Sequence, residues 1–167
     1  TDGERFIVSI CDVETFEGLP IGTFTWTTNT VPWTVGSTDF GVDEFIGAGA
    51  GGSDRYIDNV TSPGLLDVNS IAITDTQMVK MGSMEIYVSS DPVGANPTDD
   101  GTLTVVGKLD GVTQYTVVKS MGFPTIFGST HGFYLWDFST EGGVDNSMTD
   151  IDEIELTLGG SFQYLAV

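Results

Sequence analysis

The chain has 167 residues and a formal net charge of -19, from 24 Asp and Glu against five Lys and Arg. The basic residues Arg5, Arg55, Lys80, Lys108 and Lys119 are scattered, which leaves no patch for nucleic acid or an anionic membrane. A single cysteine, Cys11, excludes an internal disulfide.

Hydrophobic residues make up 40% of the chain, enough to build one core despite the charge. There is no apolar run of about 18 residues, so no membrane-spanning segment is expected. The chain opens TDGERF, with neither an initiator Met nor a signal peptide. Residues 1–167 are therefore read as a single ligand-binding domain excised from a larger extracellular protein. An acidic, Lys-poor, Gly-rich composition suits an extracellular bacterial or marine protein.

In chain order, FIVSI (6–10) alternates so that Phe6, Val8 and Ile10 share one face. Cys11 follows it and reads as a small buried hydrophobe. ETFEGLPIGTF (14–24) reads as the opening strand of a jelly roll, with a turn at Glu17-Gly18. TFTWTT (23–28) puts Phe24 and Trp26 on one face and threonines on the other, with Trp26 in the core. SMEIYV (83–88) points Met84, Ile86 and Val88 inward, and Glu85 and Tyr87 outward. Leu109-Asp110-Gly111 predicts a hairpin turn between strands over 102–108 and 112–119. FYLWDF, IELTL and FQYLAV complete the set, and in IELTL the residues Ile154, Leu156 and Leu158 share a face. No window carries a helical period. About ten strands predict an all-β antiparallel sandwich of jelly-roll type with long calcium-binding loops.

At this charge, self-repulsion opposes the compact state, and external salt or bound cations must offset it. The acids gather in loops. GAGAGGSDRYIDN (47–59) lacks the Lys and the following helix of a phosphate loop. Its pliable backbone can bend carbonyls onto a cation, with Asp54, Asp58 and Asn59 adding side-chain oxygens for Ca²⁺. SSDPVGANPTDDGT (89–102) offers Asp91, Asp99 and Asp100. STEGGVDNSMTDIDE (139–153) offers Glu141, Asp145, Asn146, Asp150 and Asp152. In each segment the alternative is a solvated loop whose acids cap turns. Glu17 is a further acid that could hold a structural calcium or simply mark a turn.

One His and one Cys cannot build a soft-metal site. His131 lies near Ser129 and Asp137 in sequence, but no GxSxG elbow accompanies them. Asn59-Val60-Thr61 is a formal glycosylation sequon. Trp33 and Tyr56 are the candidate aromatic platform for a ligand.

TDGERFIVSICDVETFEGLPIGTFTW, the acidic loops and the closing DIDEIELTLGGSFQYLAV resemble the calcium-dependent peptide-binding domains of bacterial RTX adhesins. The resemblance implies a non-enzymatic, monomeric cell-surface module with several Ca²⁺ ions, serving cell adhesion and biofilm formation. It implies that an incompletely coordinated Ca²⁺ holds the free C-terminal carboxylate of a peptide or protein on a host or neighbouring cell. Within the binding class, the alternative is a calcium-dependent carbohydrate-binding module with a glycan as partner.

Overall fold

The computed structural model describes residues 6–8, 14–36, 40–44, 47–59 and 68–167. Among these it has thirteen strands: β1 (Phe6–Val8), β2 (Thr25–Thr28), β3 (Val31–Val35), β4 (Gly41–Glu44), β5 (Arg55–Asp58), β6 (Asn69–Ile73), β7 (Gln77–Val79), β8 (Ser83–Ser89), β9 (Gly101–Leu109), β10 (Val112–Lys119), β11 (Tyr134–Asp137), β12 (Glu153–Gly160) and β13 (Tyr164–Ala166). Helical content among the described residues is three short 3-10 turns.

The strands form a six-stranded sheet, β10-β9-β12-β6-β3-β2, and a five-stranded sheet, β11-β8-β13-β5-β4. Every ladder in these two sheets is antiparallel. From β5 onward, with β7 set aside, the eight strands pair first with last: β5 with β13, β6 with β12, β8 with β11 and β9 with β10. Successive pairs alternate between the two sheets. That nesting is the jelly roll, two Greek keys closed into a double sheet. The β1–β7 pair is parallel and lies outside both sheets.

Alternation builds the core as expected. Ile154, Leu156 and Leu158 of β12 are buried beside Leu103 and Val105 of β9, and Ile86 and Val88 of β8 belong to the same cluster. Each such side chain stabilises the fold by roughly 1.5–3 kcal/mol through its burial. The hairpin between β9 and β10 turns at Asp110 and Gly111, with φ of 54° and 72°. Two successive positive φ values make the turn whose twist matches the flanking strands.

The structure departs from the sequence reading in four places. Residues 14–24, expected to be the opening strand, form turns and irregular backbone instead. Strands β3 to β7 are five or fewer residues long, too short for alternation to register, and β3 contains Pro32. Phe24 is 44% exposed rather than sharing the core with Trp26. Tyr87 does leave the core face of β8, yet it is 4% exposed. It enters a second apolar cluster with Phe133, Tyr164 and Ala166, flanked by Phe127 at 6.2 Å between ring centres. The outer face of the five-stranded sheet is therefore covered around Tyr87, while Glu85 and Leu135 on β8 and β11 remain exposed. Residues Ile10 and Cys11 lie outside the described residues.

That cover depends on Gly94, whose carbonyl accepts the Tyr87 hydroxyl at 2.7 Å. Its φ is 65°, and a Cβ there would stand 2.6 Å from the Tyr164 ring. Gly94→Ala should destabilise the domain by about 2–4 kcal/mol, from backbone strain plus overpacking. Gly82, which has nothing within 4 Å of such a Cβ and no positive φ, should tolerate Ala to within about 0.5 kcal/mol. Urea unfolding of the two variants measures the difference.

Candidate ligand-binding cleft and acidic loops

A cleft of about 680 Å³ opens at one edge of the sandwich, a size ordinary for small-ligand sites. Trp26, Trp33, Ile71, Met84 and Ile154 form apolar wall, and Tyr56, Arg55, Lys80 and Glu85 add polar groups. Trp26 and Trp33 face each other across the β2–β3 ladder, with ring centres 6.4 Å apart and planes 14° from parallel. Both residues expected to form an aromatic platform, Trp33 and Tyr56, thus line one cleft, each half-buried.

Phe16 also lines the cleft and meets Trp26 edge-on at 5.5 Å. Its φ is 60°, a conformation that a bulky side chain adopts only under constraint. Glu14 supplies that constraint. Its Oε1 accepts the Phe16 N–H at 2.8 Å and its Oε2 accepts the Thr28 hydroxyl. Sequence reasoning passed over Glu14, Phe16, Arg55 and Lys80 as parts of a site. The available signal was the scarcity of cations, because with so few in the chain the placement of each one matters.

The acidic residues have individual partners. Asp54 Oδ1 accepts the Gly47 N–H at 2.7 Å and closes the glycine-rich turn. Glu17 Oε1 reaches across to the N–H groups of Asp54 and Arg55, at 2.5 and 3.2 Å. Glu17, Asp54 and the backbone of 50–53 line a shallow depression of about 450 Å³ beside the cleft. Asp58 lies on β5, not in a loop. It is 4% exposed, and its Oδ2 accepts the Tyr164 hydroxyl at 2.6 Å. Asn59 is 3% exposed, and its amide binds Leu165 N–H and the Gln163 carbonyl. This buries the sequon's acceptor nitrogen.

In the second segment, Asp91 caps Val93 N–H at 3.0 Å. Asp99 holds two N–H groups, of Gly122 and Phe123, at 2.9 and 3.0 Å. Asp100 is exposed, and its backbone carbonyl accepts from Ser161. In the third segment, Asp145 accepts both the N–H and the hydroxyl of Ser147. Asn146 is buried, with its amide on the Val144 carbonyl. Asp150 pairs with Lys80 at 2.7 Å, and Asp152 accepts the Asp110 N–H at 3.0 Å. Glu141 meets Lys119 and the Tyr134 hydroxyl.

Among the described residues no three His, Cys, Asp or Glu side chains converge on one point. The nominated carboxylates are spread over separate turns, and Asp58 and Asn59 are taken up inside the fold. A carboxylate offers about four acceptor positions, so those that cap one or two N–H groups keep capacity for a cation. Ca²⁺ also takes backbone carbonyls and water. His131 sits in the left-handed region at φ 52°, and among the described residues no hydrogen bond joins it to Ser129 or Asp137. Asp137 is instead held by the N–H and hydroxyl of Ser139, which keep its carboxyl below the usual range.

No protein-family model, curated protein or solved structure matches the chain. Among the described residues, no helix is long and apolar enough to cross a membrane.

Burial, then the charge of Asp58, pushes Tyr56 up to about 12, and the same causes raise Tyr164 well beyond the usual phenol range. Burial alone takes Tyr115 up to about 12. Burial followed by Asp91 raises Tyr87, and burial followed by the Glu141 hydrogen bond raises Tyr134. All five tyrosines therefore keep their protons in the folded chain at pH values where the unfolded chain, with phenols near 10, has begun to lose them. The contribution of Tyr56 and Tyr115 to stability is complete below about pH 10 and disappears as pH rises through about 12. A spectrophotometric titration should show little tyrosinate until the domain unfolds, then cooperative ionisation together with loss of near-ultraviolet circular dichroism. Independent ionisation near the ordinary value, with the fold intact, would contradict the burial.

Proposed function

We propose that this domain is a calcium-dependent ligand-binding module of an extracellular bacterial adhesin. Its ligand is the free C-terminus of a peptide or protein on a target cell, bound without chemical turnover. The observation that carries this reading is the cleft, an open and mostly apolar chamber with Trp33 and Tyr56 among the residues that line it. Strain at Phe16 on the same wall supports it, since strained backbone concentrates where ligands are clamped. The resemblance of the opening and closing segments to adhesin peptide-binding domains supplies the ligand class.

For calcium, the best-supported place is the depression where Glu17 and Asp54 meet the bent backbone of 50–53. Asp54 and the carbonyls of this short turn, with Glu17 reaching across from a distant segment, are oxygens of the right chemistry. A bound divalent ion would also reduce the repulsion of a chain with net charge -19. The near-parallel Trp26–Trp33 pair favours a second reading, a carbohydrate-binding module in which a sugar ring lies on Trp33.

Chelation by EDTA should lower the melting temperature, Ca²⁺ should restore it and Mg²⁺ should not. Asp54→Ala should weaken calcium affinity by about tenfold or more, the loss of one carboxylate ligand. Calorimetry of the stripped protein tests this, and absence of heat on adding Ca²⁺ would remove the metal from the reading. Peptide and glycan arrays, run with and without EDTA, separate the two ligand classes. In either case Trp33→Ala should abolish retention.

A further inference from the structure

The described part of the chain carries four cationic side chains: Arg55, Lys80, Lys108 and Lys119. Lys108 is paired with Glu155 on the six-stranded sheet. Lys119 lies over the Tyr134 ring at 4.3 Å and beside Glu141. The other two, Arg55 and Lys80, both line the cleft. The carboxylates on its wall are Glu14 and Glu85, and Glu14 is already engaged through both oxygens. In a molecule with net charge -19, two of the four described cations thus belong to the lining of one cleft.

Neither cation is locked away. Lys80 is 29% exposed and its partner Asp150 is 32% exposed. Both side chains of the pair are half-buried, and Lys80 has three donors, so it can meet a second carboxylate while keeping Asp150. Arg55 is held by the Leu19 carbonyl and by Glu44 at 3.5 Å. These contacts place it, and a guanidinium has five donors to distribute. The apolar end of the chamber has its own unmet demand. Trp26 is more than nine-tenths buried, and its indole N–H has no acceptor among the described residues. Met81 and Met84, which line the same chamber, are side chains that adjust readily to an apolar guest.

We propose that Lys80 and Arg55 receive the ligand's terminal carboxylate directly, while a large apolar C-terminal side chain enters the chamber against Trp26 and Trp33. This deepens the peptide-terminus reading above and rests on it. It assigns the charge recognition to two side chains rather than to a calcium ion. The chamber then sets the specificity, favouring terminal Phe, Leu, Met or Trp over polar or acidic ends.

The test uses N-acetylated tripeptides ending in Phe, Leu, Met or Trp, each as the free acid and as the C-terminal amide. Binding to the whole domain is measured by calorimetry in calcium, and again after chelation at a temperature where circular dichroism shows the fold intact. At least one free acid should bind about tenfold or more tightly than its amide. Lys80→Gln and Arg55→Gln should each remove most of that preference, and Lys80→Arg should retain it. The preference should survive chelation. If the acid preference is unchanged in both Gln variants but vanishes on chelation, the assignment to Lys80 and Arg55 is overturned and calcium recognition stands. If no tripeptide binds in either form, the peptide-binding reading fails and this inference fails with it. Trp33→Ala should weaken acid and amide alike, and an unchanged affinity would place the apolar side chain elsewhere.

Discussion

The structure depends on how its surplus carboxylates are satisfied. With so few cations available, most acidic side chains answer to the backbone. Asp54 closes the turn at Gly47, Asp91 caps Val93, Asp99 gathers Gly122 and Phe123, and Asp152 holds the tip of the β9–β10 hairpin through Asp110. Charge-assisted contacts of this kind are roughly twice as strong as neutral hydrogen bonds. Each places a carboxylate where one or two fixed N–H dipoles partly offset its charge. The acids that first read as excess are thus the fasteners of long loops that otherwise have few regular backbone partners.

Those loops matter because one face of the five-stranded sheet needs them. The second half of β8 and all of β13 are buried on both sides, and the outer side there is sealed by Tyr87, Phe133 and Tyr164 under segments that include Gly94 and Gly132. Ser89 Oγ accepts the Asp91 N–H and donates to the Asn96 carbonyl, while Thr98 Oγ1 accepts the Ser90 N–H. The loop is pinned at both ends and in the middle. Asp58 is buried in this layer with the Tyr164 hydroxyl on its carboxylate. A buried carboxyl group is tolerated there because it is hydrogen-bonded.

The fold was legible where burial is one-sided and the strand long. The alternation of β9, β10 and β12 and the Asp110-Gly111 turn were enough for the sandwich and one hairpin. Alternation gave no warning at Tyr87 and Asp58. A strand sealed by a loop on its outer face looks, in sequence, like a strand facing solvent or like no strand at all. β5, whose residues read RYID, was hidden inside what looked like one acidic loop. Its Ile57 faces the core, and Tyr56 and Asp58 face the aromatic layer. The candidate site was half legible. Trp33 and Tyr56 stood out as aromatics outside clean alternation, and they do share a cleft. Arg55, Lys80 and Glu14 are brought to it by pairings between distant segments, which no local pattern encodes.

The acidic turn and the cleft are physically one unit. Thr15, Ala50 and Ser53 line both the cleft and the depression that holds Glu17 and Asp54. Glu17 binds the N–H of Asp54 and of Arg55, and Arg55 extends its guanidinium to Leu19 and Glu44 along the same wall. A cation drawn to Glu17 and Asp54 would compete with those N–H groups for the same oxygens while stiffening the turn that begins β5. The position of Arg55, and with it the polar end of the cleft, would follow. Metal dependence and direct recognition by Arg55 and Lys80 are therefore compatible. The ion would set the shape of the wall, and the side chains would meet the ligand. A coupling of this kind is a difference in affinity between two states of the turn. It requires the Glu17–Asp54 contact to have two arrangements, one held by backbone N–H groups and one shared with a metal.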